Sequence, residues 1–223
     1  MPVQLKSFGC SFVWGSELPD EIPGQTPSQL TWPALVAQEL RREYQCYAWG
    51  GTGNFAIAQR VLSQIERAES ALFVINWTWI DRYDYIDPAN NKIWRTIRPA
   101  NNDDCSDYYY RNLHSQLQDK LLSLSQINFC LDQLEQREIP YISTYMDDLL
   151  FETQWHTTAG AYLMQRNIQS RMTEFQQQNF IDWARNNNHS LTQAGHLLES
   201  GHAAVAQDIL QRLRINEIKT ACR

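Results

Sequence analysis

Ala71-Leu72-Phe73-Val74-Ile75-Asn76-Trp77 is the stretch that most restricts the fold. It has the length of a strand, is rich in β-branched and aromatic side chains, and is apolar at almost every position. A run of that kind is buried on both faces, as strands are in a parallel sheet covered by helices on each side. The flanking segments agree. Residues 3–8 read as a first strand that stops at Gly9. Thr31-Trp32-Pro33 opens a helix, with Thr31 as N-cap and Pro33 in the first turn, and Leu35, Val36 and Leu40 continue it at helical spacing toward Tyr44. Residues 44–49 form a second strand closed by Gly50-Gly51, and residues 55–68 a helix with Ile57, Val61, Leu62 and Ile65 on one side. Beyond Trp77, residues 83–107 are polar and carry Pro88 and Pro99, which predicts a long excursion acting as lid or substrate wall. A leucine-spaced helix over 108–137, a strand over 140–146, a Gln-rich outer helix over 164–180 and a last amphipathic helix over 203–213 complete the chain. The alternation predicts one domain, residues 1–223, built as a three-layer α/β/α sandwich on a mostly parallel sheet of about four to five strands.

Composition excludes several functions. The net charge is −6 and no basic run occurs, so a nucleic-acid footprint is not expected. No apolar run is long enough to cross a membrane, and no secretory signal is read at the start. Five scattered cysteines without a Cys-x-x-Cys pair predict reduced thiols and a cytoplasmic protein. Asp103-Asp104 and Asp147-Asp148 lack further ligands at fixed spacing, so neither metal nor cofactor is expected. The glycines after the second strand have no P-loop lysine behind them, which argues against a phosphate-binding α/β protein.

Four elements carry candidate chemistry. Gly9-Cys10-Ser11 sets Ser11 at the carboxyl end of the first strand, where open α/β sheets place their sites and where helix-start N–H groups are unpaired. The alternative for Ser11 is a plain turn or cap residue. Trp49-Gly50-Gly51-Thr52-Gly53-Asn54 follows the second strand; Gly51 can bring a backbone N–H to a ligand and Asn54 can add a side-chain donor, or simply cap the next helix. Asn76-Trp77-Thr78 closes the central strand, with Asn76 and Thr78 alternating in direction against Trp77; Asp81-Arg82 just beyond reads as a surface pair. Near the end of the chain, His196 lies in a turn and His202 at or just inside the start of the last helix. A loop histidine entering the crevice can act as general base.

In this order the four elements resemble the SGNH/GDSL hydrolase family. Gly9-Cys10-Ser11 resembles its first block, with Trp32-Pro33 in a familiar following position; Gly51 with Asn54 resembles the second, residues 76–82 a divergent third, and the histidine tail its terminal block. The resemblance implies a flavodoxin-like α/β/α fold and a serine esterase that forms an acyl-enzyme on Ser11. It implies His196 as base and donors from among Ser11, Gly51, Asn54, Asn76 and Thr78 for the oxyanion. The chain departs from the pattern: Cys10 replaces the aspartate, the third block lacks Gly-x-Asn-Asp, and the acid three residues before His196 is Gln193. A second alignment takes His202 as base and Glu199 as acid. His196 is preferred because Gly201-His202-Ala203-Ala204 matches the helix after the catalytic loop. Trp14, Trp49, Trp77 and Trp79 suggest a carbohydrate O-acyl (acetyl) ester as the small-molecule substrate. The competing reading is a catalytically impaired protein of the same fold that binds a glycan or other small ligand.

Overall fold

The computed structural model describes residues 4–68, 70–90, 93–153, 158–173 and 178–221, with side chains as far as residue 213. The chain starts with strand β1 (Gln4–Phe8), a one-turn helix α1 (Ser11–Trp14), helix α2 (Trp32–Glu39), strand β2 (Glu43–Cys46) and helix α3 (Asn54–Ile65). The central strand β3 (Ala71–Trp77) is followed by a hairpin of β4 (Tyr83–Ile86) and β5 (Trp94–Ile97), and then by α4 (Asp104–Asn112) and α5 (Gln116–Gln136). Strand β6 (Tyr141–Tyr145), α6 (Ala159–Gln169), α7 (Phe180–Asn186) and α8 (Glu199–Ala221) end it.

The main sheet has the order β2-β1-β3-β6, all parallel. Every residue of β3 is buried, as its apolar run demands. Its side chains alternate between two cores. Leu72 and Val74 join Leu5 against α2, α7 and α8, packing on Trp32, Val36, Phe180, Val205 and Ile209. Phe73, Ile75 and Trp77 join Phe8 against α3, α5 and α6, packing on Ile57, Val61, Leu124, Ile127 and Ile168. The three-layer α/β/α sandwich is therefore the observed fold. From β1 the chain runs outward to the edge strand β2 and then crosses back past β1 to β3. The carboxyl ends of β1 and β3 consequently flank the crevice in which open α/β sheets bind ligands.

Several boundaries differ from the sequence expectation, each for a local reason. The first long helix ends at Glu39, and Arg41 turns the chain with φ 52°. The leucine repeat over 108–137 runs through a break: Ser115 accepts the N–H of Gln118 and starts α5 afresh, while Leu113 is left exposed. The final helix begins at Glu199, not 203. The Gln-rich helix expected over 164–180 is instead α6, which stops at Gln169, followed by α7 from Phe180; part of that stretch lies outside the described residues, as does His156. The polar excursion is an antiparallel hairpin, with Tyr83 opposite Ile97 and Ile86 opposite Trp94.

Candidate active site at the carboxyl edge of the sheet

The turn after β1 has no room for a side chain at Gly9. A β-carbon there would lie 2.7 Å from Val13 Cγ2 and 3.1 Å from the Asn76 carbonyl oxygen. Cys10 is extended and fully buried in the core on the α8 side, so its thiol points away from the crevice. Ser11 is the first residue of α1, nearly buried, and Cys10 gives no side-chain cap. The first-turn N–H groups of a helix lack intrahelical partners. Gly15 ends the turn in the left-handed region at φ 84°, and Glu17, two residues on, also holds a left-handed φ of 70°.

That second left-handed residue has a use. Glu17 Oε2 lies 2.5 Å from His196 Nδ1 and accepts the Thr192 hydroxyl at 2.6 Å. The Thr192 hydroxyl first, and then His196, hold the Glu17 carboxyl below the ordinary carboxylate range. The histidine turn is tight: Leu191 and Leu197 pair as a bridge, Gly195 sits at φ 85°, Thr192 N–H donates to the His196 carbonyl, and His196 N–H donates to Thr192 Oγ1. The His196 ring packs edge-on against Phe12, the neighbour of Ser11, with centroids 5.2 Å apart. A carboxylate on Nδ1 leaves Nε2 as the ring's basic nitrogen. Among the described residues, Ser11 Oγ makes no hydrogen bond with either histidine.

His202 is placed quite differently. It lies on α8, 1% exposed, and its Nδ1 accepts the backbone N–H of Trp32 at 3.2 Å. Burial, aided by the nearby His196, pushes its pKa down to about 3. The ring is thus neutral and ties α8 to the start of α2. Glu199 opens α8, exposed, and makes no ion pair among the described residues.

The middle blocks are also used differently from the sequence expectation. Asn54 is 2% exposed and spends its amide internally: Oδ1 accepts the Thr78 N–H at 2.8 Å, and Nδ2 donates to the Thr78 carbonyl and to Ser123 Oγ. Asn76 donates to Thr144 Oγ1 across the β3–β6 pair and is fully buried, as is Thr78. In this arrangement none of the three side chains opens to a ligand. Trp77 is core as well, its Nε1 bonded to Ser143. Trp49 is 46% exposed and meets Trp14 edge-on.

Gly51 borders an open space, with the Arg98 guanidinium laid against it. It holds φ 76° and lines a cavity of about 480 Å³ between the glycine loop and the β4–β5 hairpin, so the excursion walls that cavity. Trp49 N–H donates to the Gly9 carbonyl, which ties this loop to the Ser11 turn. The start of α3 is capped from a distance by Asp84 of β4, whose carboxylate accepts the N–H groups of Gly53 and Ala56 and the Thr96 hydroxyl. Burial still raises the Asp84 pKa against these partners. The paired acids have similar structural work: Asp103 caps α4, and Asp147 accepts N–H groups from Ile80 and Leu149. Arg82 does not form the expected surface pair with Asp81. It lies 4.5 Å over the Trp79 ring and donates to the Thr52 carbonyl.

Glu17 escaped the sequence reading. It lies 179 residues before the histidine it contacts, whereas the resemblance placed an acid three residues away. Its only signal was an acid shortly after the Gly15 stop of the serine turn.

No protein-family model and no curated protein matches the chain. Solved structures do. The psychrotrophic esterase EstA from Pseudoalteromonas sp. aligns over 95% of this chain and 97% of its own at 7% identity, with a TM-score of 0.52. The acetyl xylan esterase Est2A from Butyrivibrio proteoclasticus aligns over 98% of this chain at 15% identity and a TM-score of 0.50, and this chain spans 65% of it. A family two carbohydrate esterase from Clostridium thermocellum, solved in complex with cellohexaose, gives 98% coverage, 11% identity and a TM-score of 0.50, and this chain spans 66% of it. At these identities the likeness is one of fold: with its layer order, this chain shares the α/β/α fold of these esterases.

Proposed function

We propose that the protein is a serine hydrolase acting on esters, with Ser11 as nucleophile, His196 as general base and Glu17 as the acid that orients the base. The observation that carries this is the contact between Glu17 Oε2 and His196 Nδ1 beside the Ser11 turn. A carboxylate on Nδ1 fixes the tautomer in which Nε2 can take a proton, and it stabilises the imidazolium that then forms. Ser11 Oγ attacks the ester carbonyl carbon as its proton passes to Nε2. The carbonyl oxygen becomes an oxyanion facing the Ser11 and Gly51 N–H groups, each well-aimed donor contributing about 3 kcal/mol. The alcohol leaves with the proton from Nε2, and water repeats the sequence on the acyl-enzyme. The mechanism does not need a Ser11–His196 hydrogen bond in the free protein, since such contacts often tighten only once substrate is bound.

The fold neighbours that act on acetyl xylan and bind cellohexaose, together with exposed Trp49, support an O-acyl carbohydrate as substrate. The test is hydrolysis of p-nitrophenyl acetate: the parent turns it over, and Ser11→Ala reduces the rate to background. Equal rates would sink the mechanism. The second reading, a binding protein with catalysis lost, draws on that missing hydrogen bond. Labelling of Ser11 by a fluorophosphonate would exclude it.

A further inference from the structure

Three guanidinium groups converge on the glycine loop. Arg60 Nη1 donates to Thr52 Oγ1, and Arg82 Nη1 donates to the Thr52 carbonyl. Arg98 lies directly on Gly51: a β-carbon there would meet its Nη1 at 2.5 Å. Among the described residues none of the three forms a salt bridge, in a protein whose net charge is −6. The acids around them are already engaged. Asp87 pairs with Arg95, Asp103 caps α4, and Asp84 holds the start of α3 while lending Arg60 part of its charge. Arg98 is held at Nε by Asn101 Oδ1, so its outer edge is oriented rather than loose. Arg82 and Arg98 repel one another, and Arg60 and Arg98 are partly desolvated. Like charges brought together at partly desolvated positions cost free energy that an anion would offset.

We propose that the cavity between the glycine loop and the β4–β5 hairpin is a binding site for an anionic group, a carboxylate or phosphate carried by the ligand, with Arg98 as its main contact and Arg60 in support. The enzyme would then prefer an acidic saccharide ester to a neutral one. As a substrate preference this rests on the ester-hydrolase reading; as a binding site it does not. The arrangement suits a sugar, because exposed Trp49 and half-buried Trp94 line the same cavity and offer aromatic surface for a ring.

The test titrates the Ser11→Ala protein with glucuronate, glucose 6-phosphate and neutral methyl glucoside, using calorimetry or NMR. The expected result is that at least one anionic sugar binds about tenfold or more tightly than the neutral one. The preference should weaken as salt is raised. It should disappear in Arg98→Gln and partly return in Arg98→Lys, each checked for folding by circular dichroism. Glucuronate and glucose 6-phosphate together show whether carboxylate or phosphate is the recognised anion. Equal affinity for charged and neutral sugars would overturn the site; so would no binding of either anion, or a preference that survives Arg98→Gln in folded protein. A guanidinium serving only a transient oxyanion would also give equal ground-state affinities. Because Ser11→Ala binds without turnover, an inactive parent enzyme leaves this test intact, and failure here leaves the Ser11 mechanism standing.

Discussion

His196 and His202 stand six residues apart and do opposite work. His196 is held in a polar turn by a carboxylate on its ring and a hydroxyl on its backbone N–H, with its ring packed edge-on against Phe12. His202 is sealed under α2 and holds a backbone N–H. The sequence around each offers a glycine and an acid or amide nearby, so spacing alone does not separate them. The surroundings do. A base must change charge during each turnover, which a site of low polarity opposes and a carboxylate favours. Burial keeps His202 neutral, and the proposed mechanism gives the base's work to His196.

The most severe way to break this comparison is to delete each ring. His196→Ala should lower kcat for p-nitrophenyl acetate by about a thousandfold while leaving thermal stability nearly unchanged. His202→Ala should do the reverse: about 2–4 kcal/mol of stability lost, from the cavity and the orphaned Trp32 N–H, with the surviving folded protein active. Rates and urea midpoints on both variants decide it. A large kcat loss in a folded His202→Ala protein would reassign the base.

Next in size is the clasp itself. Glu17→Gln keeps the shape but loses the charge, and kcat should fall by about a hundredfold, less than for a fully buried acid because Glu17 is partly exposed. Its carboxyl titrates below the ordinary value of 4.5 in the folded protein, so the unfolded chain takes up the proton first. The stability that Glu17 adds is therefore complete above about pH 4.5 and is lost as the pH falls through the lower folded value. The difference in Tm between parent and Glu17→Gln should follow that course. A difference that grew on acidification would show that the carboxylate is not what holds the turn.

The same contrast between local and distant partners explains what was legible in the sequence. The sheet was readable because its signal is local: a seven-residue, mostly apolar run rich in β-branched and aromatic side chains suits a central strand, and Gly9 and Gly51 stand where a side chain does not fit. Ser11 stood out as a candidate for the same reason, two residues past the glycine that ends the first strand. Glu17 was not, because its meaning depends on a turn 179 residues away. Asn54 misled: an asparagine after three glycines resembles a donor for a ligand, but the fold brings the Thr78 backbone within reach of both ends of its amide. The split between α4 and α5 was hidden because the leucine spacing carries on across Ser115, whose cap reads as an ordinary helical serine until the backbone turns.

Asn54 gives the third test. If its amide is the brace between α3 and the end of β3, Asn54→Ala should cost about 2–3 kcal/mol, since the backbone N–H and carbonyl of Thr78 both lose their partner. Residual activity per folded molecule should then fall only modestly. A variant as stable as the parent but crippled in kcat would return Asn54 to the oxyanion role that the sequence suggests.

The last test probes the neutral histidine without altering it. His202 has a folded pKa of about 3, against 6.5 for an unhindered ring. Between those values the unfolded chain binds the proton and the folded one does not, so stability rises with pH across the window and levels off above it. The contribution of one such group is at most about 1.4 kcal/mol per pH unit. NMR of the histidine ring protons follows it directly. In folded protein the His202 signals should hold their neutral positions from pH 8 down to 5, because protonation would both charge a buried ring and expel the Trp32 N–H from Nδ1. A His202 ring that titrates near its unhindered value would mean that α8 opens readily, and the distinction between a cycling and a silent histidine would then rest on Glu17 alone.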